Sequence, residues 1–156
     1  MIKIELTDEE VMMCRHIGHL RSVMSRSNNV QDVKHSDMAG LDLDAQGVTA
    51  EYAVSKHFNT FFDMGLSPRS GTADGTMKGY SYDVKSTQHE FGKLLATLKE
   101  NPDVDMYIMC LTPDRWTVKI VGWCWKKELI NDKNIQDLGY GKGYALEQNQ
   151  LRTFKQ

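Results

Sequence analysis

The chain has 156 residues and a formal net charge of −2, with 19 Lys and Arg against 21 Asp and Glu. That length suits a single domain, 1–156, with a real core. The near-balanced charge gives no general reason to expect nucleic acid, and no apolar stretch nears the length that crosses a membrane. Met1-Ile-Lys-Ile-Glu-Leu6 shows no signal-peptide pattern, so a cytoplasmic location is expected.

In chain order, Thr7-Asp8-Glu9-Glu10 predicts a capping-box start to a helix over about 7–25, with Val11, Cys14, Ile17 and Met24 on its buried side. Cys14, His16 and His19 do not share one helical face, which argues against zinc there. With Cys110 and Cys124 in predicted strands, the three cysteines read as buried small hydrophobes rather than disulfides or ligands. Ser25 through Gly40 is polar, contains Asn28-Asn29, and reads as a mobile loop that orders on a ligand or partner. Asp44 suits the N-cap of a helix over 44–58, in which Glu51 shares a face with Val48, Val54, Ser55 and Phe58. A carboxylate inside an apolar stripe is costly unless it is paired, coordinates a metal or reaches water.

The run from Asp74 to Thr87 is the most informative stretch. With Lys78-Gly79 as a two-residue turn, Met77 faces Tyr80, and counting outward sets Asp74 opposite Asp83. Opposed Cβ atoms lie about 5 Å apart, where two like charges repel unless a cation bridges them. Side chains alternate along a strand, so Asp83 and Lys85 leave one face while Tyr82 and Val84 leave the other. Two acids and an ammonium aimed at one point suit a divalent metal beside a charged catalytic group. A solvated strand face explains the same Asp-x-Lys pattern when it stands alone.

Further along, Phe91, Leu94, Leu95 and Leu98 fall at helical spacing and predict a helix ending before Asn101-Pro102. Met106 to Leu111 reads as a strand, Thr112-Pro-Asp-Arg115 as a turn, and Trp116 to Cys124 as a second strand; Lys126 to Ile130 begins a short helix. Gly139-Tyr-Gly-Lys-Gly-Tyr144 matches no phosphate-binding fingerprint and reads as a structural turn. His57 and His89 flank the acid-rich hairpin and read as structural.

This arrangement resembles the PD-(D/E)xK nuclease superfamily, which includes many restriction endonucleases, phage exonucleases and archaeal Holliday-junction resolvases. Small phage-encoded members often carry the same Asp83-Val-Lys-Ser-Thr87 run and a later Val121-Gly122-Trp123 strand. Gly65-Leu-Ser-Pro-Arg-Ser-Gly71 resembles the resolvase-like branch. The resemblance covers about residues 44–130, leaving the helix over about 7–25 before it and a basic extension over about 131–156 after it. It implies an α+β (α/β/α) fold in which a mixed central sheet with a hairpin or meander is flanked by helices. It assigns Asp74 and Asp83 to the two motif acids, Lys85 to the lysine and Glu51 to the helical acid. Mg²⁺ or Mn²⁺ would then be held by Glu51, Asp74, Asp83 and the Val84 carbonyl. Ala73 stands where the naming proline would be.

Three functions remain open on sequence. The leading one is metal-dependent DNA cleavage, in the host cytoplasm if the chain is phage-encoded. The second is a nuclease-like module that binds DNA or protein without cutting. The third is an α+β protein, such as a small phage inhibitor, whose acids are surface charges. Residues 115–156 hold eight Lys and Arg against four acids, enough to contact phosphates or simply to form a solvated surface. A homodimer would suit symmetric cutting of two strands, and no membrane partner is expected.

Overall fold

The computed structural model describes residues 1–27, 40–66, 72–98, 103–139 and 141–155. In chain order, strand β1 (Ile2–Glu5) precedes helices α1 (Asp8–Ser27) and α2 (Gly40–Phe58). A hairpin of β2 (Gly75–Met77) and β3 (Tyr80–Thr87) leads to β4 (Leu94–Thr97), then β5 (Met106–Leu111) and β6 (Thr117–Trp125). Helix α3 (Lys126–Leu129), β7 (Ile135–Asp137) and β8 (Lys142–Leu146) follow. The protein is α+β: a mixed five-stranded sheet ordered β1-β6-β5-β3-β2, three helices among the described residues, and a smaller sheet ordered β4-β8-β7.

The all-apolar β5 shows why the molecule has layers. Every one of its residues is buried, and they divide by parity. Met106, Ile108 and Cys110 enter a core with Val54 of α2 and Val118 of β6. Tyr107, Met109 and Leu111 enter a second core with Leu94 of β4 and Leu146 of β8. A strand covered on both faces needs no alternation, hence its continuous apolar sequence. Helices α1 and α2 thus cover one face, and the β4-β8-β7 sheet covers the other. The flanking helix expected on that second face is absent: residues 94–97, placed in a helix by the spacing of Phe91, Leu94, Leu95 and Leu98, are strand β4. Leu94 and Ala96 point inward and alternate with half-buried Leu95 and Thr97, a period of two that four leucine-rich residues are too few to separate from a helical period. The Asn101-Pro102 stop lies outside the described residues.

Helix α1 begins with the capping box: the Thr7 N–H donates to Glu10 Oε2 at 2.9 Å, and the Glu10 N–H to Thr7 Oγ1 at 3.3 Å. Glu10 also accepts from the Tyr52 hydroxyl and the Lys56 ammonium, both at 2.7 Å, tying α1 to α2. Val11, Cys14 and Ile17 are buried as expected, but Met24 is exposed, because the stripe has rotated onto Gly18 and Ser22 by then. Gly18 lets the helices cross closely; a Cβ there would lie 2.7 Å from the Ala45 Cα. His16 and His19 are exposed while Cys14 is buried, so the three do not converge. All three cysteines are free and buried, and burial pushes the Cys14 and Cys124 thiols up to about 12. Helix α2 starts at Gly40, so Asp44 lies within its second turn rather than at its N-cap. Residues 28–39 of the polar 25–40 segment lie outside the described residues; 25–27 close α1 and 40 opens α2.

Strand β6 explains why its alternation looked imperfect. Its register against β5 slips between Met109 and Cys110, leaving Val121 as the extra residue. Before the slip Val118 and Ile120 face the helical core; after it Trp123 and Trp125 do. One inserted residue reverses side-chain parity, which is what a β-bulge does. Beside the bulge, Trp123 and Arg152 exchange backbone hydrogen bonds at 2.9 and 2.8 Å, seating the C-terminal segment on β6. Gly122 makes room for it: a Cβ would lie 2.6 Å from the Arg152 carbonyl oxygen. Gly122→Ala is expected to lower stability by about 1–3 kcal/mol through overpacking, read as a drop in melting temperature with faster proteolysis of the C-terminal segment.

The extension beyond residue 130 is structural. Gly139 and Gly141 take positive φ in the turn joining β7 to β8, and β8 pairs with β4 to close the second sheet. Two of its flanking basic residues are held by acids: Arg152 by Glu128 at 2.6 Å and Lys126 by Asp103 at 3.4 Å. No helix among the described residues is long and apolar enough to cross a membrane.

Candidate active site

The hairpin turn falls at Lys78-Gly79 as expected, both residues with positive φ, and Met77 pairs with Tyr80. Regular pairing stops at Gly75–Tyr82, one step short of the expected Asp74–Asp83 pair. Gly75 makes room for the Tyr82 ring, which crosses it so closely that any Cβ there would collide with the hydroxyl. Beyond that point the Asp74 N–H still donates to the Tyr82 carbonyl at 2.9 Å. The Asp74 carboxylate reaches further along β3, where Oδ2 accepts the Val84 N–H at 2.7 Å. In a strand the N–H and C=O of one residue point to the same side. The Val84 carbonyl therefore leaves β3 on the side where Asp74 sits.

Asp83 is buried, on the face of β3 opposite Tyr82 and Val84. Its parallel partner on β5 is Tyr107. The Lys85 ammonium lies 2.6 Å from Asp83 Oδ2. Among the described residues no other donor reaches this buried oxygen. The Tyr107 hydroxyl is buried with no hydrogen-bond partner among the described residues.

The electrostatics link the four acids and bases expected from sequence. The half-buried Asp74 carboxyl is pushed up to about 8, chiefly by desolvation, then by the charges of Glu51 and Asp83; the Val84 N–H and Lys85 pull the other way. Burial also raises Asp83, against the lowering effect of Lys85. Glu51 of α2, Asp74 before β2, and Asp83 and Lys85 of β3 therefore act on one another as one electrostatic row. It is a row and not a tight cluster. Among the described residues no three His, Cys, Asp or Glu side chains gather into a group able to hold an ion by themselves.

A residue that sequence reasoning missed acts on this row. Arg21 of α1 donates through Nη1 to Glu51 Oε2 at 2.8 Å, through Nη2 to the Asp63 carbonyl at 2.6 Å, and through Nε to the Gly65 carbonyl at 3.1 Å. Both side chains are largely buried, at 13% and 16% exposure. Glu51 is therefore a paired charge within its apolar stripe. The signal existed, since Arg21 follows Cys14 and Ile17 at helical spacing and is an opposite charge in the facing stripe. Removing one partner of such a charged hydrogen-bonded pair costs about 1.5–3 kcal/mol. Arg21→Ala is expected to lower the melting temperature by roughly 5–10 °C for a chain of this size, and Arg21→Lys to recover little, because one ammonium cannot reach three acceptors.

The chain matches no family model, no curated protein and no solved structure. The site is therefore judged on its own donors. They are hard oxygens: two carboxylates raised by burial, Asp74 also by the charges of Glu51 and Asp83, beside a backbone carbonyl. A divalent cation would relieve that repulsion, and oxygen donors of this kind suit Mg²⁺ or Mn²⁺. Asp74, Asp83 and the Val84 carbonyl would hold it directly. Glu51, engaged by Arg21, would act through water. His57 and His89 are both exposed, and residues 67–71 of the Gly65–Gly71 segment lie outside the described residues.

Proposed function

We propose that this protein is a metal-dependent DNA nuclease of the PD-(D/E)xK type, with a restriction-endonuclease-like core built from α2, the β2–β3 hairpin and the parallel strand β5. The observation that carries this reading is the row of Asp74, Asp83 and Lys85 around Val84, with Asp74 raised by burial and the charges of Glu51 and Asp83, and Asp83 raised by burial against the pull of Lys85. A purely structural ion pair gains nothing from a second buried acid beside it, and displaced titration at a sheet edge is how charged catalytic sites are built. The connection from β3 to β5 carries a strand, β4, where the superfamily pattern has a helix.

A bound Mg²⁺ supplies charge neutralisation at the phosphate and a water acidified toward neutral pH. The protein's own groups do the rest. Asp74, anchored by the Val84 N–H, and Asp83, fixed by its burial on β3, present oxygens from two strands of one hairpin. Lys85 keeps its side chain 39% exposed, so its ammonium can orient an attacking water or meet the charge that develops on the phosphate. Asp83 sets the direction of that ammonium.

The experiment is a cleavage panel over linear, circular, single-stranded and branched DNA with Mg²⁺, Mn²⁺, Ca²⁺ or chelator. Cutting of at least one form with Mg²⁺ or Mn²⁺ and none with chelator supports the reading. Inertness on every form overturns it. The Arg21 hold on Glu51 favours a second reading, a nuclease-like module that binds DNA without cutting; for that module DNA is retained in Ca²⁺ and never cut in Mg²⁺.

A further inference from the structure

The turn between β3 and β4 carries Phe91 with 87% of its surface exposed, the most exposed large apolar residue among those described. Such a ring on a floppy loop would mean little, but this turn is built. The Gly92 N–H donates to the His89 carbonyl at 2.9 Å, and the His89 N–H to Thr87 Oγ1 at 3.2 Å. From the distant C-terminal turn, Gln148 Nε2 donates to the Glu90 carbonyl at 2.7 Å and the Gly92 carbonyl at 3.0 Å, gripping the chain on both sides of Phe91. Gly92 packs so closely that a Cβ would lie 2.6 Å from Thr87 Cγ2. Several polar contacts therefore hold the backbone while the ring itself is left in water. A single exposed ring is ordinary on a protein surface; what sets Phe91 apart is a built turn that holds the ring beside the candidate site, free to stack on a flat ligand.

Its position says what that something is. Thr87 shares the strand face of Asp83 and Lys85, being four and two residues after them along β3. The turn packs on the Thr87 side chain, so it folds over the face that bears the candidate catalytic groups. Six residue steps from Lys85 to Phe91 limit the separation of their Cα atoms to about 20 Å, and a nucleic-acid strand advances about 3.4 Å per nucleotide. The ring is thus within about six nucleotides of a phosphate at Lys85. The charges around it do not favour phosphate: Glu90 precedes it, and Lys93 is engaged by Glu147 at 2.7 Å and by Gln136 at 3.0 Å.

We infer that Phe91 is a base-stacking contact that holds or unstacks a nucleobase of DNA close to the scissile phosphate. The inference rests on the nuclease reading for its ligand and extends it to how the substrate is gripped. Stacking is tolerant of base identity and contributes about 5- to 150-fold in affinity per base.

The test is DNA affinity by fluorescence anisotropy in Ca²⁺ at several salt concentrations for the full chain, Phe91→Ala and Phe91→Tyr, with melting temperatures alongside. Phe91→Ala is expected to bind single-stranded or branched DNA about tenfold or more weakly, with an unchanged slope of log affinity against log salt, because no phosphate contact is lost. Phe91→Tyr should bind within about threefold of the wild type, since it keeps the ring, and both variants should melt like the wild type. Wild-type affinity in Phe91→Ala, or equal losses in both variants, overturns the stacking role while leaving the nuclease reading intact. A wild type that neither binds nor cuts any DNA overturns both, and the wild-type arm alone reveals it.

Discussion

Lys85→Ala is expected to cut DNA at least about a hundredfold more slowly than the wild type while binding it nearly as well. The ammonium faces Asp83 at 2.6 Å, so its place is fixed by a buried carboxylate and not by the substrate. A group preorganised in this way acts where charge develops, and losing one such group typically costs about 10²–10³ in rate. An interaction made mainly in the transition state lowers turnover and leaves ground-state affinity almost unchanged. Lys85→Arg should rescue poorly, because a planar guanidinium keeps the charge but not the compact ammonium geometry beside Asp83. The measurement is single-turnover cleavage at saturating Mg²⁺, with DNA affinity taken separately in Ca²⁺. Saturating metal matters, since Lys85 also pulls the carboxyls down and its removal will shift metal affinity. Cleavage at the wild-type rate in Lys85→Ala would exclude the lysine from the chemistry.

The candidate site was more legible in the sequence than the fold around it. A two-residue turn with glycine at its second position fixes hairpin register, and register fixes which side chains share a face; counting puts Asp83 and Lys85 on one face and Asp74 one step beyond the last regular pair. Glu51 was visible as a charge in an apolar stripe, and the same argument applied to Arg21 would have supplied its partner. Burial depth was not visible, because the sheet β4-β8-β7 that helps exclude water on the Asp83 side is joined through β4–β8 pairs about fifty residues apart. β1, β7 and β8 are short strands of mixed polarity with weak local signals, and each exists through its partner. Leu94 to Thr97 misled for the opposite reason: its apolar spacing fits two periods, and only the neighbouring β8 decides between them. Val121 is likewise decided by register against β5.

Asp74→Asn is expected to stabilise the metal-free protein at pH 8 and to remove most of its response to Mg²⁺. The Asp74 carboxyl titrates near 8 in the folded chain against an ordinary value of 3.8, with burial first among the causes and the charges of Glu51 and Asp83 next. Between about pH 4 and pH 8 the folded state keeps a proton that the unfolded chain has lost. Unfolding then releases a proton, and stability falls as pH rises, by at most about 1.4 kcal/mol per unit for this one group. Below about pH 4 both states are protonated and the effect is absent; above about pH 8 the destabilisation is complete. Asparagine removes the titration, and its side-chain oxygen can still accept the Val84 N–H that Asp74 accepts at 2.7 Å. Without metal, the wild type should therefore melt at progressively lower temperature from pH 5 to pH 8, with the variant flatter across that window and above it at pH 8. Mg²⁺ binds the ionised carboxylates and competes with their protons, so it should raise the wild-type melting temperature more at pH 8 than at pH 5. The variant has lost one of two charged ligands and should show little of that rise, along with no detectable cleavage. Thermal melts at pH 5, 6, 7 and 8, with Mg²⁺ and with chelator, test every part of this. A variant that melts below the wild type at pH 8, or that keeps the full Mg²⁺ increment, would remove Asp74 from the centre of the row and with it the case that these acids exist to hold a cation.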